Sequence, residues 1–145
     1  MRLADTNVLL YAVSNQEDDA EKKTTAAATL VEPDLALSVQ VLQEFYHQAT
    51  RPHGPAGLTH EQAIEFLRPL GTLPTQAITV ELFARATGIR SRFGVSYWDA
   101  AILAAAKLLG CEAVYSEDLS HEQDYDGVMV INPFLDERGA EEPTP

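Results

Sequence analysis

A chain of 145 residues, 46% of them apolar, is long enough to bury one core and too apolar for disorder. Cys111 is its only cysteine, which excludes disulfide stapling and thiolate metal clusters within one chain, and no apolar run nears the roughly 18 residues of a membrane span. Ten Lys and Arg against 22 Asp and Glu leave a net charge of −12, which argues against a surface that grips phosphates broadly.

Taken in chain order, Arg2-Leu3-Ala4 reads as a short strand that runs straight into Asp5. With an acid so early there is no apolar stretch of the secretion-signal kind, and a cytoplasmic location is expected. Leu35-Ala36-Leu37-Ser38 is a second short apolar run. Beyond it Leu42, Phe45, Tyr46 and Ala49 fall at i, i+3, i+4 and i+7, the stripe of an amphipathic helix. Arg51 to Gly57 is rich in Pro and Gly and reads as a loop. Thr59 with Gln62 forms a capping box ahead of Ala63, Phe66, Leu67 and Leu70, with Gly71 as the stop. Ser96 with Asp99 looks like another box, opening a helix over Ala100 to Leu109 that ends at Gly110. Ala113 to Ser116 and Val128 to Ile131 supply two more short strands. The stretch 136–145 is charged and contains Pro, and is expected to be a flexible tail on a folded domain of residues 1–135. Short apolar strands alternating with helices predict an α/β fold, a sandwich of helices around a small central parallel sheet.

The acids acquire meaning on that map. Asp5 follows the first strand, Glu44 lies in the second turn of the helix after the second, and Asp118 stands just past the third. Ligands of open parallel sheets bind at the carboxyl ends of the strands, so these three converge on one edge. Asp99, in the first turn of the helix leading into the third strand, can reach the same crevice. A helix turns about 100° per residue, which sets Glu44 off the apolar stripe and free to face a cleft. Carboxylates gathered this closely call for a cation. Hard oxygen donors without a His and Cys set select Mg²⁺ or Mn²⁺, ions that activate water and polarise phosphoryl oxygens. Each acid also has an ordinary reading: Asp5 as a helix N-cap, Glu44 as a solvated helix acid, Asp99 as the acidic half of the Ser96 box, Asp118 as a turn residue. Their common placement argues against four unrelated roles.

Four stretches carry a resemblance. Leu3 to Leu10, Ser38 to Tyr46, Ser96 to Ala106 and Tyr115 to Leu119, followed by the ending Val130-Ile131-Asn132-Pro133-Phe134, resemble in order and spacing the acidic motifs of the PIN-domain ribonucleases. Within these, the chain is most similar to the VapC-like toxins of toxin–antitoxin pairs. The resemblance runs from about residue 2 to residue 134. It implies a PIN domain over 1–135, a Mg²⁺- or Mn²⁺-dependent endoribonuclease, and a homodimer bound by an antitoxin. Carried onto this sequence, it makes Asp5, Asp99 and Asp118 the metal ligands, with Glu44 holding an attacking water or a second ion. Asn7 and Ser116 become groups that orient carboxylates, and Glu117 remains an alternative to Asp118 as the inward acid.

Some residues carry weaker signals. Tyr97 and Trp98 flank Asp99 and could stack on RNA bases, although packing at the helix start is the expected role. Arg51, Arg85, Arg90 and Arg92 are candidates for phosphate contact, with Arg90 and Arg92 preferred. His47, His53, His60 and His121 show no ligand spacing, and Cys111 reads as buried and inert. Competing functions are a housekeeping PIN nuclease that acts without an antitoxin, and a PIN-fold interaction module that cuts nothing. A signalling receiver, which also gathers acids at a sheet edge, would need a late partner lysine; Lys107, the last one, reads as buried in a helix.

Overall fold

A computed structural model describes residues 1–135, so the tail expected over 136–145 lies outside the described residues. Among the described residues the strands are β1 (Arg2–Ala4), β2 (Leu35–Ser38), β3 (Thr75–Gln76), β4 (Ala113–Tyr115), β5 (Asp124–Tyr125) and β6 (Val128–Ile131). The helices are α1 (Thr6–Val13), α2 (Ala20–Leu30), α3 (Val39–Ala49), α4 (His60–Leu67), α5 (Val80–Phe93) and α6 (Tyr97–Leu109). They form the α/β/α sandwich that the alternation of elements predicts, with the sheet ordered β3-β2-β1-β4-β6-β5. All pairings are parallel except β5 with β6.

The order of the strands positions everything else. From β1 the chain steps outward to β2 and β3, then returns to place β4 on the other flank of β1. The carboxyl end of β1 beside β4 is therefore the point where the strand order reverses and loops diverge to leave a crevice. Arg2 pairs with Ala113 and Ala4 with Tyr115, so both strands end at the same level. Leu3, Ala4, Leu35, Leu37, Val114 and Val130 are buried, as a sheet covered on both faces requires. The Ala-rich helix α6 is buried from Ala100 through Ala106, where small side chains admit close packing against α5 and the sheet.

Several local readings need correction. Val41, Phe45 and Ala49 are the fully buried face of α3, while Tyr46 is exposed and hydrogen-bonds His60 instead. Phe45 stacks on Phe66 of α4 and Leu42 packs half-buried against the core, so of the predicted stripe only Tyr46 turns outward. The Thr59–Gln62 capping box is present, but Gly71 is not the stop. α4 ends at Leu67 because Pro69, which has no N–H and crowds the preceding turn, converts the chain to a 3₁₀ turn over Arg68–Thr72. β5 and β6 form a hairpin across Asp126-Gly127, both at positive φ, as the two-residue turn demands. Lys107 is half-buried rather than buried and pairs with Asp126 of that turn. The end of α6 at Gly110, in the left-handed region, agrees with expectation.

The outward placement of Tyr46 can be tested directly. Phe45→Ala should cost about 3–5 kcal/mol of unfolding free energy, and Tyr46→Ala no more than about 1 kcal/mol, measured by urea denaturation. Equal losses would restore the predicted stripe.

Candidate active site: a carboxylate crevice

Asp5 is the innermost acid, 4% exposed at the end of β1. It is at once the N-cap of α1 and a member of the crevice. Its Oδ1 accepts the backbone N–H of Thr6 at 2.7 Å, and its Oδ2 accepts the hydroxyl of Ser116 at 2.7 Å. Burial is the main cause that pushes its pKa up to about 6 from 3.8; the charges of Asp118 and Glu44 add to the rise, and the two hydrogen bonds oppose it. The ordinary reading of Asp5 as a cap and the functional one thus coexist in a single side chain.

The other acids close in from three elements. Glu44 extends from the second turn of α3, its Oε2 accepting the Thr6 hydroxyl at 2.6 Å and its Oε1 accepting Gln40 Nε2 at 2.9 Å. Asp99 stands in the first turn of α6, where Ser96 Oγ accepts the Asp99 N–H at 3.1 Å. The reciprocal bond of a full capping box, from the Ser96 N–H to the carboxylate, is absent among the described residues. Its pKa is raised, first by burial and then by Asp118 and Glu44, with Ser96 offsetting part of the effect. Asp118 is exposed at the rim, its Oδ2 accepting Asn7 Nδ2 at 3.2 Å.

Asn7 and Ser116 tie this set together. Asn7 Nδ2 also donates to Ser116 Oγ at 3.3 Å, and Ser116 Oγ accepts the Asp118 N–H at 3.1 Å. A continuous path therefore runs from Asp118 through Asn7 and Ser116 to Asp5. Glu117 turns elsewhere. Its carboxylate accepts the Tyr11 hydroxyl at 2.6 Å and pairs with Lys22 at 3.0 Å, while Lys22 also lies over the rings of Tyr11 and Phe134. Adjacent acids have opposite fates: Glu117 is neutralised by a lysine, and Asp118 faces the other carboxylates.

Sequence reasoning missed four participants: Thr6, Gln40, Tyr11 and Lys22. Gln40 had a readable signal, since it precedes Glu44 by four residues and such side chains meet on a helix. Thr6 adjoins Asp5, but its reach to Glu44 depends on how α1 and α3 pack. Of the arginines, Arg92 is paired with Asp126 at 3.1 Å, in the turn that enters β6 and so at the opposite edge of the sheet from the acids. Arg85 pairs with Glu81, and Arg51 and Arg90 form no ion pair among the described residues. His121 serves structure, its Nδ1 accepting the Asn132 N–H at 3.0 Å. Cys111 is buried and its thiol is pushed up to about 11, mainly by burial, in keeping with an inert residue. Trp98 departs from expectation: it is 65% exposed and does not pack over the helix start.

None of Asp5, Glu44, Asp99 and Asp118 forms an ion pair among the described residues. Their hydrogen-bond donors are amides and hydroxyls. The donor set is all oxygen and fits Mg²⁺ or Mn²⁺. No three His, Cys, Asp or Glu side chains among the described residues stand close enough to form a finished cage. An ion such as Mg²⁺, which keeps several waters and takes one or two carboxylates, needs no such cage.

The same architecture occurs in solved structures. The chain superposes on a toxin–antitoxin complex from Klebsiella pneumoniae with a TM-score of 0.66 at 22% identity, covering 92% of this chain and 98% of that one. It superposes on the sarcin-ricin-loop-cleaving toxin VapC20 of Mycobacterium tuberculosis with a TM-score of 0.60 at 20% identity, covering 80% and 88%. FitAcB from Neisseria gonorrhoeae gives 0.61 at 21% identity, covering 92% and 98%. At these identities the likeness establishes the fold. No curated protein sequence matches the chain. The family model described as the PIN domain matches residues 2–123, from the strand before Asp5 to beyond Asp118, and the chain therefore belongs to the PIN-domain family.

Proposed function

We propose that the chain is a metal-dependent endoribonuclease of the VapC-like kind, the toxin of a toxin–antitoxin pair, that hydrolyses RNA phosphodiester bonds. One observation carries this reading. Asp5 and Asp99 both feel the charges of Asp118 and Glu44, and among the described residues none of these four carboxylates has a lysine or arginine partner, although lysines and arginines pair with acids elsewhere. The family supports nuclease chemistry, and the toxin–antitoxin complexes among its structural likenesses support a protein partner.

Asp5, Asp99 and Asp118 would hold the ion, which when bound stabilises negative charge on the phosphoryl group and makes water more acidic. Glu44, with both oxygens fixed by Thr6 and Gln40, would orient the attacking water. Ser116 and Asn7 would keep Asp5 and Asp118 aimed at the ion, as the partners of metal ligands do. No covalent protein intermediate is required. An RNA substrate, an antitoxin and a homodimeric assembly belong to the same reading.

The metal can be tested by stability. Burial pushes the Asp5 carboxyl up to about 6 in the folded chain, whereas the unfolded chain leaves it at the ordinary 3.8. Without metal, stability from this group is therefore present at low pH and lost as pH rises through that window. A divalent ion must displace the proton, so Mg²⁺ should raise the melting temperature more at neutral pH than near about pH 5. Asp5→Asn should remove this contrast in calorimetry. An unchanged metal response in Asp5→Asn and Asp99→Asn would eliminate the site.

Catalysis separates from binding in the Asp99→Asn variant. Single-turnover cleavage of cellular RNA with Mg²⁺ or Mn²⁺ should fall by about 10²-fold or more, with RNA affinity unchanged or tighter. Undiminished cleavage would move the chemistry to other residues. The antitoxin is expected to place an Arg or Lys against Asp5, Asp99 and Asp118. A purified complex that retains full nuclease activity would rule out inhibition of this kind.

A further inference from the structure

Beside the carboxylates lies an aromatic surface that the metal chemistry does not use. Trp98 is 65% exposed and Phe83 of α5 is 55% exposed. Half-buried Tyr97 joins them, its ring 5.1 Å from Trp98 in an edge-to-face arrangement and 6.0 Å from Phe83. Ile78 and Val80 extend the apolar edge. The surface is coupled to the active-site acids through the backbone, because Gln40 Nε2 donates both to the Trp98 carbonyl oxygen at 3.2 Å and to Glu44 Oε1 at 2.9 Å. Trp98 itself directly precedes Asp99 in the first turn of α6.

We propose that Phe83, Tyr97 and Trp98 form a stacking platform that seats an unpaired RNA base next to the phosphodiester presented to Asp99 and Glu44. The proposal rests on the ribonuclease reading and assigns that site a preference for single-stranded segments. Two arguments favour a base as the occupant. The base adjoining a scissile phosphate is only one sugar away from it, and Tyr97 and Trp98 directly precede Asp99 in the first turn of α6. The chain also has few cations to spare for phosphates, since Arg2, Lys22, Arg68, Arg85, Arg92 and Lys107 are all in ion pairs. Stacking on aromatic rings requires no charge and tolerates any base, and it supplies what a net charge of −12 withholds. A second copy of the chain is the competing occupant, and its binding would follow protein concentration rather than RNA.

Trp98 is the only tryptophan, so its fluorescence reports this platform alone. The chain is titrated, in the presence of a chelator, with oligouridylate and with an abasic strand of equal length and charge. Cleavage of cellular RNA with Mg²⁺ is then measured on the same preparations. Oligouridylate should quench the emission while the abasic strand does not, and the effect should change little with salt. Trp98→Ala should raise KM by roughly 5- to 100-fold with kcat little changed, Phe83→Ala should act in the same direction, and Trp98→Phe should retain most of the affinity. Equal responses to the two strands, or an unaltered KM in Trp98→Ala, would overturn the platform. Emission that follows protein concentration rather than RNA would overturn it in favour of a second copy. Quenching by oligouridylate in a chain that cuts no RNA would sink the ribonuclease reading and leave the platform standing as an RNA-binding surface.

Discussion

The carboxylate of Asp5 is buried at the end of the central strand, and both the fold and the site depend on how it is held. One oxygen caps α1 through the Thr6 N–H, and the other accepts the Ser116 hydroxyl from the segment after β4. The strand pairing extends into this contact, because the Asp5 N–H donates to the Tyr115 carbonyl oxygen at 2.9 Å. A slip in the β1–β4 register would leave a buried acid unpaired, so the acid enforces the register that creates the crevice. Ser116 passes the constraint on to Asn7 and Asp118. The Lys22 and Tyr11 grip on Glu117 anchors the same turn from its far side. Asp118 is thus exposed yet aimed.

The distribution of charge follows the same division. Positive side chains are placed where they fasten elements together: Arg2 with Glu112 at the entrance to the sheet, Lys107 and Arg92 with Asp126 at the hairpin, and Lys22 with Glu117 at the β4 turn. Among the described residues none pairs with the four acids of the crevice. A strongly acidic chain could have neutralised that corner with a single lysine, as it does one residue away at Glu117. Burial first, and the charges of Asp118 and Glu44 after it, raise the pKa values of Asp5 and Asp99 in that corner.

Much of this was readable in the sequence, and what was not has physical causes. β1, β2, β4 and β6 are apolar runs bounded by turns, and the structure puts Asp5 directly after β1 and Asp118 just beyond β4. α6 was legible from Ser96 and Gly110, because caps are local chemistry. β3 and β5 have only two residues each and no pattern of their own; they exist because β2 and β6 offer an edge. The Asp126-Gly127 turn was a signal strong enough to reveal the hairpin, and it was overlooked. The face of α3 was misjudged because Tyr46 is apolar in composition but amphipathic in behaviour, keeping its hydroxyl on His60. Thr6 with Glu44 and Lys22 with Glu117 join residues far apart in the chain, and no local pattern encodes such pairs. Trp98 shows the converse error. A tryptophan at a helix start is usually packed, and only the arrangement of α5 and α6 leaves it bare.

An exposed tryptophan and an uncompensated cluster of acids are both departures from what folding alone would select. Each gives up stability: the indole forgoes burial, and the carboxylates retain mutual repulsion and, at Asp5, a desolvation cost. Local violations of this kind concentrate where a protein must meet something outside itself. Here the two lie side by side, bridged by Gln40 through the Trp98 carbonyl and Glu44. Under the proposed function the acids take a cation and the ring a flat apolar face, and a divalent ion carrying an unpaired strand of RNA would supply both at once. A metal alone would leave Trp98 unexplained, and a protein partner would answer both departures only by bringing a cation to the acids as well as a flat face to the ring. In the proposed ribonuclease, RNA with its ion would meet both.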